Sequence, residues 1–112
     1  FLTPETYSAL HRLKSDEIYH FYRGDPVRLT MLDGDGCFQQ VTLGSQLEAG
    51  ERCQHVVPAG AWQGSRLVSG GKWALLGTTV APGFIFEDCE LATRSILARH
   101  SDHAAALESL LA

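Results

Sequence analysis

Two short stretches of the sequence carry side chains that could bind a metal ion or move a proton. The first contains His11 and Glu17, and the second, about forty residues later, runs from Pro58 to Gln63. Imidazole nitrogen together with carboxylate and carboxamide oxygen could form a site for a divalent ion such as Mn, Fe, Ni or Zn. The same imidazole and carboxylate, placed side by side in a buried pocket, could instead exchange a proton. A third interpretation is that they are hydrogen-bonded polar groups in an otherwise apolar pocket.

The backbone around these side chains is predicted to be β-strand. Residues 17–23 are rich in aromatic side chains, which favours a strand. Because side chains alternate along a strand, Glu17 and Tyr19 share one face and His20 points away. We expect His11 to face Glu17 across a hairpin turn, and Gln63 to approach from the opposite side. His11, Glu17 and Tyr19 are the predicted catalytic residues.

Four further side chains are predicted to contact a ligand. Arg28 could bind a carboxylate or phosphate in a bidentate manner if it faces the pocket, although alternation also allows it to be solvated. Trp62 could stack on a ring-shaped ligand, or it could fill a core or a dimer interface. Gln63 and Phe84 complete the predicted ligand-binding set.

The rest of the chain is predicted to alternate short β segments with turns. Two Asp-Gly pairs at residues 33–36 give the strongest hairpin signal. Turns recur at intervals of about ten residues, which is typical of an all-β sandwich or barrel. The predicted segments are residues 9–13, 17–23, 27–32, 37–43, 53–57, 62–68, 72–80 and 84–86.

The end of the chain is predicted to be helical. Residues 91–100 show helical spacing of apolar residues, and residues 103–112 place several leucines on one face. Ser101 and Asp102 suit the start of the second helix. We therefore predict a single domain, in which residues 1–90 form a β-barrel and residues 91–112 form one or two short helices packed on its outside.

Composition excludes several classes of partner. The net charge is −4, and the seven Arg and two Lys are scattered, which leaves no basic stripe for nucleic acid or an anionic membrane. No apolar run approaches the ~20 residues of a membrane-spanning helix, and the first residues do not form a secretion signal. The widely spaced Cys37, Cys53 and Cys89 are typical of free thiols in a reducing compartment. We expect a cytoplasmic protein without nucleic-acid or membrane partners.

Three blocks of sequence together resemble one branch of the cupin superfamily. They are residues 11–26, 56–63 and 80–88, which span most of the β region. This branch is often labelled cupin-5, a domain of unknown function. The resemblance implies a jelly-roll barrel of antiparallel strands, a homodimer and an unidentified small ligand bound inside the barrel.

The cupin pattern is only partly kept at its metal-binding positions. His11 and Glu17 stand where that pattern has a His and a Glu, but Leu13 and Gln63 stand where it has two further His residues. The resemblance therefore implies a weak site for a divalent metal at His11, Glu17 and Gln63. We expect no tightly bound cofactor.

The resemblance leaves several functions open. The main expectation is a small-molecule-binding protein with a polar or carbohydrate-like ligand. Metal-free epimerases of the superfamily act on sugar nucleotides with a His base and a Tyr acid, so a sugar or sugar-nucleotide isomerase using His11, with Tyr7 or Tyr19 as the acid, is one alternative. A weak divalent-metal enzyme and an oligomerisation module with a filled pocket are the others.

Relatives usually carry more strands before the position of Phe1, so we expect N-terminal strands to be absent here and an open sheet edge to pair with a second subunit.

Overall fold

Alternating apolar and polar side chains along short segments produce two antiparallel sheets that face each other. The structure is a computed structural model that describes residues 1–83 and 85–112, and the elements below belong to those ranges. The strands are β1 (Ser8–Arg12), β2 (Asp16–Gly24), β3 (Val27–Leu32), β4 (Phe38–Leu43), β5 (Gln54–Val57), β6 (Trp62–Leu67), β7 (Ala74–Ala81) and β8 (Glu90–Leu91). The helices are α1 (Ser95–Arg99) and α2 (Ala104–Glu108), with 3₁₀ turns at Leu47–Ala49, Phe86–Asp88 and Ser101–His103.

The two sheets enclose the main apolar core. The larger sheet has the order β4-β3-β6-β1-β8, and the smaller has the order β5-β2-β7. Their inner faces supply fully buried side chains such as Leu29, Leu43 and Val57. The chain passes from the larger sheet to the smaller one between β1 and β2, so these strands are not hairpin partners. His11 and Glu17 therefore belong to facing sheets, which corrects the expectation that they meet across a hairpin turn.

The C-terminal segment covers the outer face of the larger sheet. Leu10 and Leu32 point outward and pack against Ile96, Leu107 and Leu110 in a second apolar cluster. The first helix is shorter than expected, because the chain at residues 90–91 pairs with β1 as a strand and helix begins only at residue 95. No helix among the described residues is long and apolar enough to span a membrane.

Candidate functional site

A cavity of about 250 Å³ lies between the inner faces of β1, β2, β6 and β7. We call it the interior pocket. Its polar lining consists of Ser8, His11, Glu17, Tyr19, Ser65 and Thr78. Its apolar lining consists of Phe1, Leu2 and Leu76. All three predicted catalytic residues thus line one cavity, as do three hydroxyl side chains that the sequence analysis did not single out.

An irregularity in β1 brings two of these side chains to the same face. Ser8 pairs with Ser65 and His11 pairs with Gln63, so three steps along β1 match two steps along β6. Such a β-bulge redirects side chains, and here it allows both Ser8 and His11 to line the pocket although a regular strand would separate them. The C-terminal segment holds the bulge from outside, because the Leu10 amide donates to the Leu110 carbonyl over 2.8 Å.

His11 and Glu17 face each other across the pocket. His11 Nε2 lies 3.8 Å from Glu17 Oε1, which is an ion-pair distance but too long for a direct hydrogen bond. His11 Nδ1 lies 2.7 Å from the Ala9 carbonyl oxygen, and it must donate there because a carbonyl only accepts. Burial lowers the pKa of the His11 imidazole, but the Glu17 carboxylate and the Ala9 carbonyl raise that pKa by more. His11 therefore holds its second proton more tightly than an isolated histidine does, and in this imidazolium form Nε2 faces the Glu17 carboxylate.

The Glu17 carboxylate is the most unusual group of the pocket. Glu17 is only 7 % exposed, and its Oε1 has no hydrogen-bond partner within the part of the chain that the structure describes. Buried polar atoms are nearly always paired, because an unpaired one carries a desolvation cost of about 1–3 kcal/mol. Because Glu17 also lines the interior pocket, its carboxylate is suited to a hydrogen-bond donor of a bound ligand.

Tyr19, which lines the pocket, forms a second polar pair with Gln63. The Tyr19 hydroxyl donates a hydrogen bond of 2.6 Å to Gln63 Oε1, and Gln63 is 1 % exposed. Burial, with a smaller contribution from the charge of Glu17, raises the pKa of the Tyr19 phenol well above its ordinary value. Gln63 is the direct neighbour of His11 in the larger sheet, which corrects the expectation that it approaches from the opposite side.

The donor set does not fit a firmly held metal ion. The carboxamide oxygen of Gln63 already accepts a hydrogen bond from the Tyr19 hydroxyl, which leaves His11 and Glu17 as the two strong metal-ligand candidates. Known catalytic zinc sites use three protein ligands. Across residues 1–83 and 85–112, no group of three His, Cys, Asp or Glu side chains could hold a metal ion.

The remaining predicted site residues lie elsewhere. Arg28 is exposed on the outer face of β3, beside Arg66 of β6, because its neighbours Val27 and Leu29 point inward. Trp62 also points outward, since Gln63 takes the inner position and adjacent strand residues face opposite ways. The structure therefore brings neither Arg28 nor Trp62 to the interior pocket. Phe84 lies outside the described residues.

A second, larger cleft of about 480 Å³ lies on the surface near the turn after β1. Its lining includes Arg12, Lys14, Asp88 and Glu90. Arg12 pairs with Glu90 at 2.7 Å, and Lys14 pairs with Asp88 at 3.3 Å. Because these exposed charges already satisfy one another, the cleft offers a ligand less than the interior pocket does.

The comparison with known families decides the identity of the fold. The sequence matches the family described as Cupin superfamily (DUF985) over residues 1–92. The chain belongs to this cupin family. The predicted membership and the predicted all-β cupin fold are confirmed, and the family carries no assigned activity.

Solved structures place the whole chain within the cupin fold. A protein from Shewanella oneidensis, determined by X-ray crystallography, is 36% identical with a TM-score of 0.91, and the match covers 99% of this chain and 70% of that chain. A hypothetical protein from Leishmania major is 31% identical with a TM-score of 0.91, over 98% of this chain and 72% of that chain. Oxalate decarboxylase from Bacillus subtilis is 19% identical with a TM-score of 0.61, over 97% of this chain and 29% of that chain, a likeness that shows the fold alone. No curated protein matches this cupin chain.

Proposed function

We propose that this cupin chain binds a small polar, carbohydrate-like molecule in the interior pocket, with His11, Glu17 and Tyr19 at the binding site. The observation that carries the proposal is Glu17, which lines the cavity and whose buried Oε1 makes no hydrogen bond among the described residues, with His11 Nε2 3.8 Å away. A ligand hydroxyl donating to this oxygen would form a charge-assisted hydrogen bond, which is stronger than a bond between neutral groups. The volume of about 250 Å³ lies below the range of about 300–1,000 Å³ typical of drug-sized ligands, so it suits a smaller molecule.

Native mass spectrometry of freshly purified protein tests this proposal. We expect a retained small molecule, or one rebound from a panel of monosaccharides and polyols, at one molecule per chain. Ser65→Leu adds a side chain within the pocket and should abolish the complex, because Ser65 is only 3 % exposed and lines the cavity. The control is Ser69→Leu, since Ser69 is exposed in a surface turn. Equal binding by both variants would place the ligand elsewhere and overturn the proposal.

A second candidate function is a sugar isomerase or epimerase with His11 as the base. It is supported by the position of His11 Nε2, which lies in the pocket close to a carboxylate. Neither predicted acid is free, however, because the Tyr19 hydroxyl donates to Gln63 and the Tyr7 hydroxyl donates to the Leu111 carbonyl. Incorporation of solvent deuterium at a sugar carbon, lost in His11→Gln, would support catalysis. Binding without such exchange would support the non-catalytic function.

We also propose that two copies associate through the outer face of the smaller sheet. Tyr22, Val56 and Leu75 are exposed there by 63 %, 49 % and 43 %. Apolar side chains gathered on one face of a sheet are typical of an interface. Light scattering should give twice the chain mass of 12.2 kDa, and Val56→Lys should halve the measured mass. A monomer at high protein concentration would contradict the proposal.

A further inference from the structure

We infer that the interior pocket selects neutral molecules with several hydroxyl groups and rejects carboxylates and phosphates of similar shape. This inference rests on the proposed function, because it specifies the chemical class of ligand for the same pocket. It follows from three properties of the lining: a carboxylate oxygen without a hydrogen bond, a set of hydroxyl groups and, among the described residues, an absence of arginine and lysine side chains.

The first property is the need for a hydrogen-bond donor. Glu17 Oε1 is buried and makes no hydrogen bond among the described residues, and an ionised carboxylate can only accept. A sugar or polyol hydroxyl can donate to this oxygen. An ionised carboxylate or a fully ionised phosphate has no proton to donate, so a ligand that places this group against Oε1 loses the hydrogen bond that a hydroxyl would make there.

The second property is the distribution of hydroxyls and apolar groups. Ser8, Ser65 and Thr78 can each donate one hydrogen bond and accept others, so they suit ligand hydroxyls in either role. Leu2 and Leu76 supply an apolar surface in the same cavity. A molecule with hydroxyls on its edges and C–H groups on its faces, such as a pyranose or a cyclitol, matches both kinds of surface.

The third property is the charge balance. Arg12, Arg28 and Arg66 all lie outside the interior pocket, and no arginine or lysine side chain is present in its described lining. The one side chain that can become cationic is His11, and its charge is matched by Glu17 at 3.8 Å. An anionic ligand would therefore meet the Glu17 carboxylate at short range with no arginine or lysine side chain in the described lining to offset it, and repulsion in this partly desolvated site would oppose binding.

Sugars with the same ring that differ by one anionic group test the inference. The probes are D-glucose against D-glucuronate and D-glucose 6-phosphate, and D-galactose against D-galacturonate, with binding followed by NMR shifts of the His11 imidazole and the Tyr19 ring. We expect at least one neutral sugar to bind about tenfold more tightly than its anionic counterpart, as expected for the loss of one charge-assisted hydrogen bond.

The variant Glu17→Gln should lower the affinity for the neutral sugar and remove most of the difference in affinity between neutral and anionic sugars. It replaces the carboxylate by a neutral group of the same shape. Glu48→Gln, the same chemical change at an exposed position, should leave both affinities unchanged. Anions that shift His11 and Tyr19 as strongly as neutral sugars would overturn the inference and leave the proposed pocket intact. If no probe shifts either residue, both the inference and the proposed function fail.

Discussion

The Tyr19 hydroxyl and the Gln63 carboxamide oxygen are joined by a buried hydrogen bond of 2.6 Å that links the two sheets. Gln63 occupies the position where the wider cupin pattern has a metal-binding histidine. Gln63, which could have been a metal ligand, here accepts a hydrogen bond from the phenol of Tyr19 in the facing sheet. The polar interior thus contains this intrachain hydrogen bond and one carboxylate oxygen, Glu17 Oε1, that makes no hydrogen bond among the described residues.

Removing the Tyr19 hydroxyl should destabilise the fold. Tyr19→Phe leaves Gln63 Oε1 buried without this donor, which costs about 1–3 kcal/mol. Urea unfolding of the variant and the parent protein measures this difference in the free energy of unfolding. Tyr22→Phe is the matched control, since Tyr22 is 63 % exposed, and it should change stability by less than about 0.5 kcal/mol. Equal effects of the two variants would show that the Tyr19–Gln63 bond contributes nothing specific.

The pKa of His11 predicts how stability depends on pH. A raised pKa means that the folded state holds the proton more tightly than the unfolded chain does. The contribution of His11 is therefore complete below the ordinary histidine pKa and is lost as the pH rises through the raised value. The difference in unfolding free energy between the parent and Glu17→Gln should accordingly be larger in mildly acidic than in mildly alkaline buffer.

NMR titration checks the same relationship directly. Burial and the nearby Arg52 lower the pKa of His55, so His55 should titrate at a lower pH than His11. In Glu17→Gln the pKa of His11 should fall while that of His55 stays where it was. A reversed order of the two histidines in the parent protein would contradict the geometry of the His11–Glu17 pair.

Metal ions should have little effect on this cupin. Two strong donors remain at the pocket once Gln63 is engaged by Tyr19, which is fewer than the three protein ligands of known catalytic zinc sites. Addition of Mn²⁺, Ni²⁺ or Zn²⁺, or dialysis against a chelator, should leave the unfolding temperature unchanged. A ligand that binds only the folded state raises stability with its concentration, so a concentration-dependent rise with one of these ions would refute the prediction.

Gly64 should be intolerant of even the smallest side chain. A Cβ at this position would lie 3.1 Å from Leu110 Cδ1 and 3.1 Å from the Ser8 carbonyl oxygen. Gly64→Ala should therefore push the C-terminal segment away from β1 and cost about 1–3 kcal/mol, as overpacking typically does. Gly34→Ala is the control, because nothing lies within 4 Å of a Cβ there. Thermal unfolding that shifts equally in both variants would exclude this close approach.

Much of the fold, and part of the site, could be predicted from the sequence. Alternation identified the main strands and placed Glu17 with Tyr19, because regular strands obey a two-residue period. The same rule could not reveal the bulge that turns Ser8 and His11 to one face, since a two-residue period describes regular strands only and the bulged segment also contacts the distant C-terminal segment. Alternation also could not decide whether Arg28 faces the pocket or solvent. That choice follows from the burial of its neighbours Val27 and Leu29 in the core.

The β-bulge in β1 determines which side chains of this strand line the interior pocket. If β1 kept all its residues but ran on from Ser8 as a regular strand without the bulge, Leu10 would face the interior pocket and His11 would face the C-terminal segment. The interior pocket would gain an apolar side chain, and the C-terminal segment would have to pack against the imidazole ring. The set of side chains that faces the interior pocket thus follows from the irregular path of β1. This irregular segment also donates a hydrogen bond from the Leu10 amide to the Leu110 carbonyl, a contact that a comparison of inward-facing residues alone would overlook.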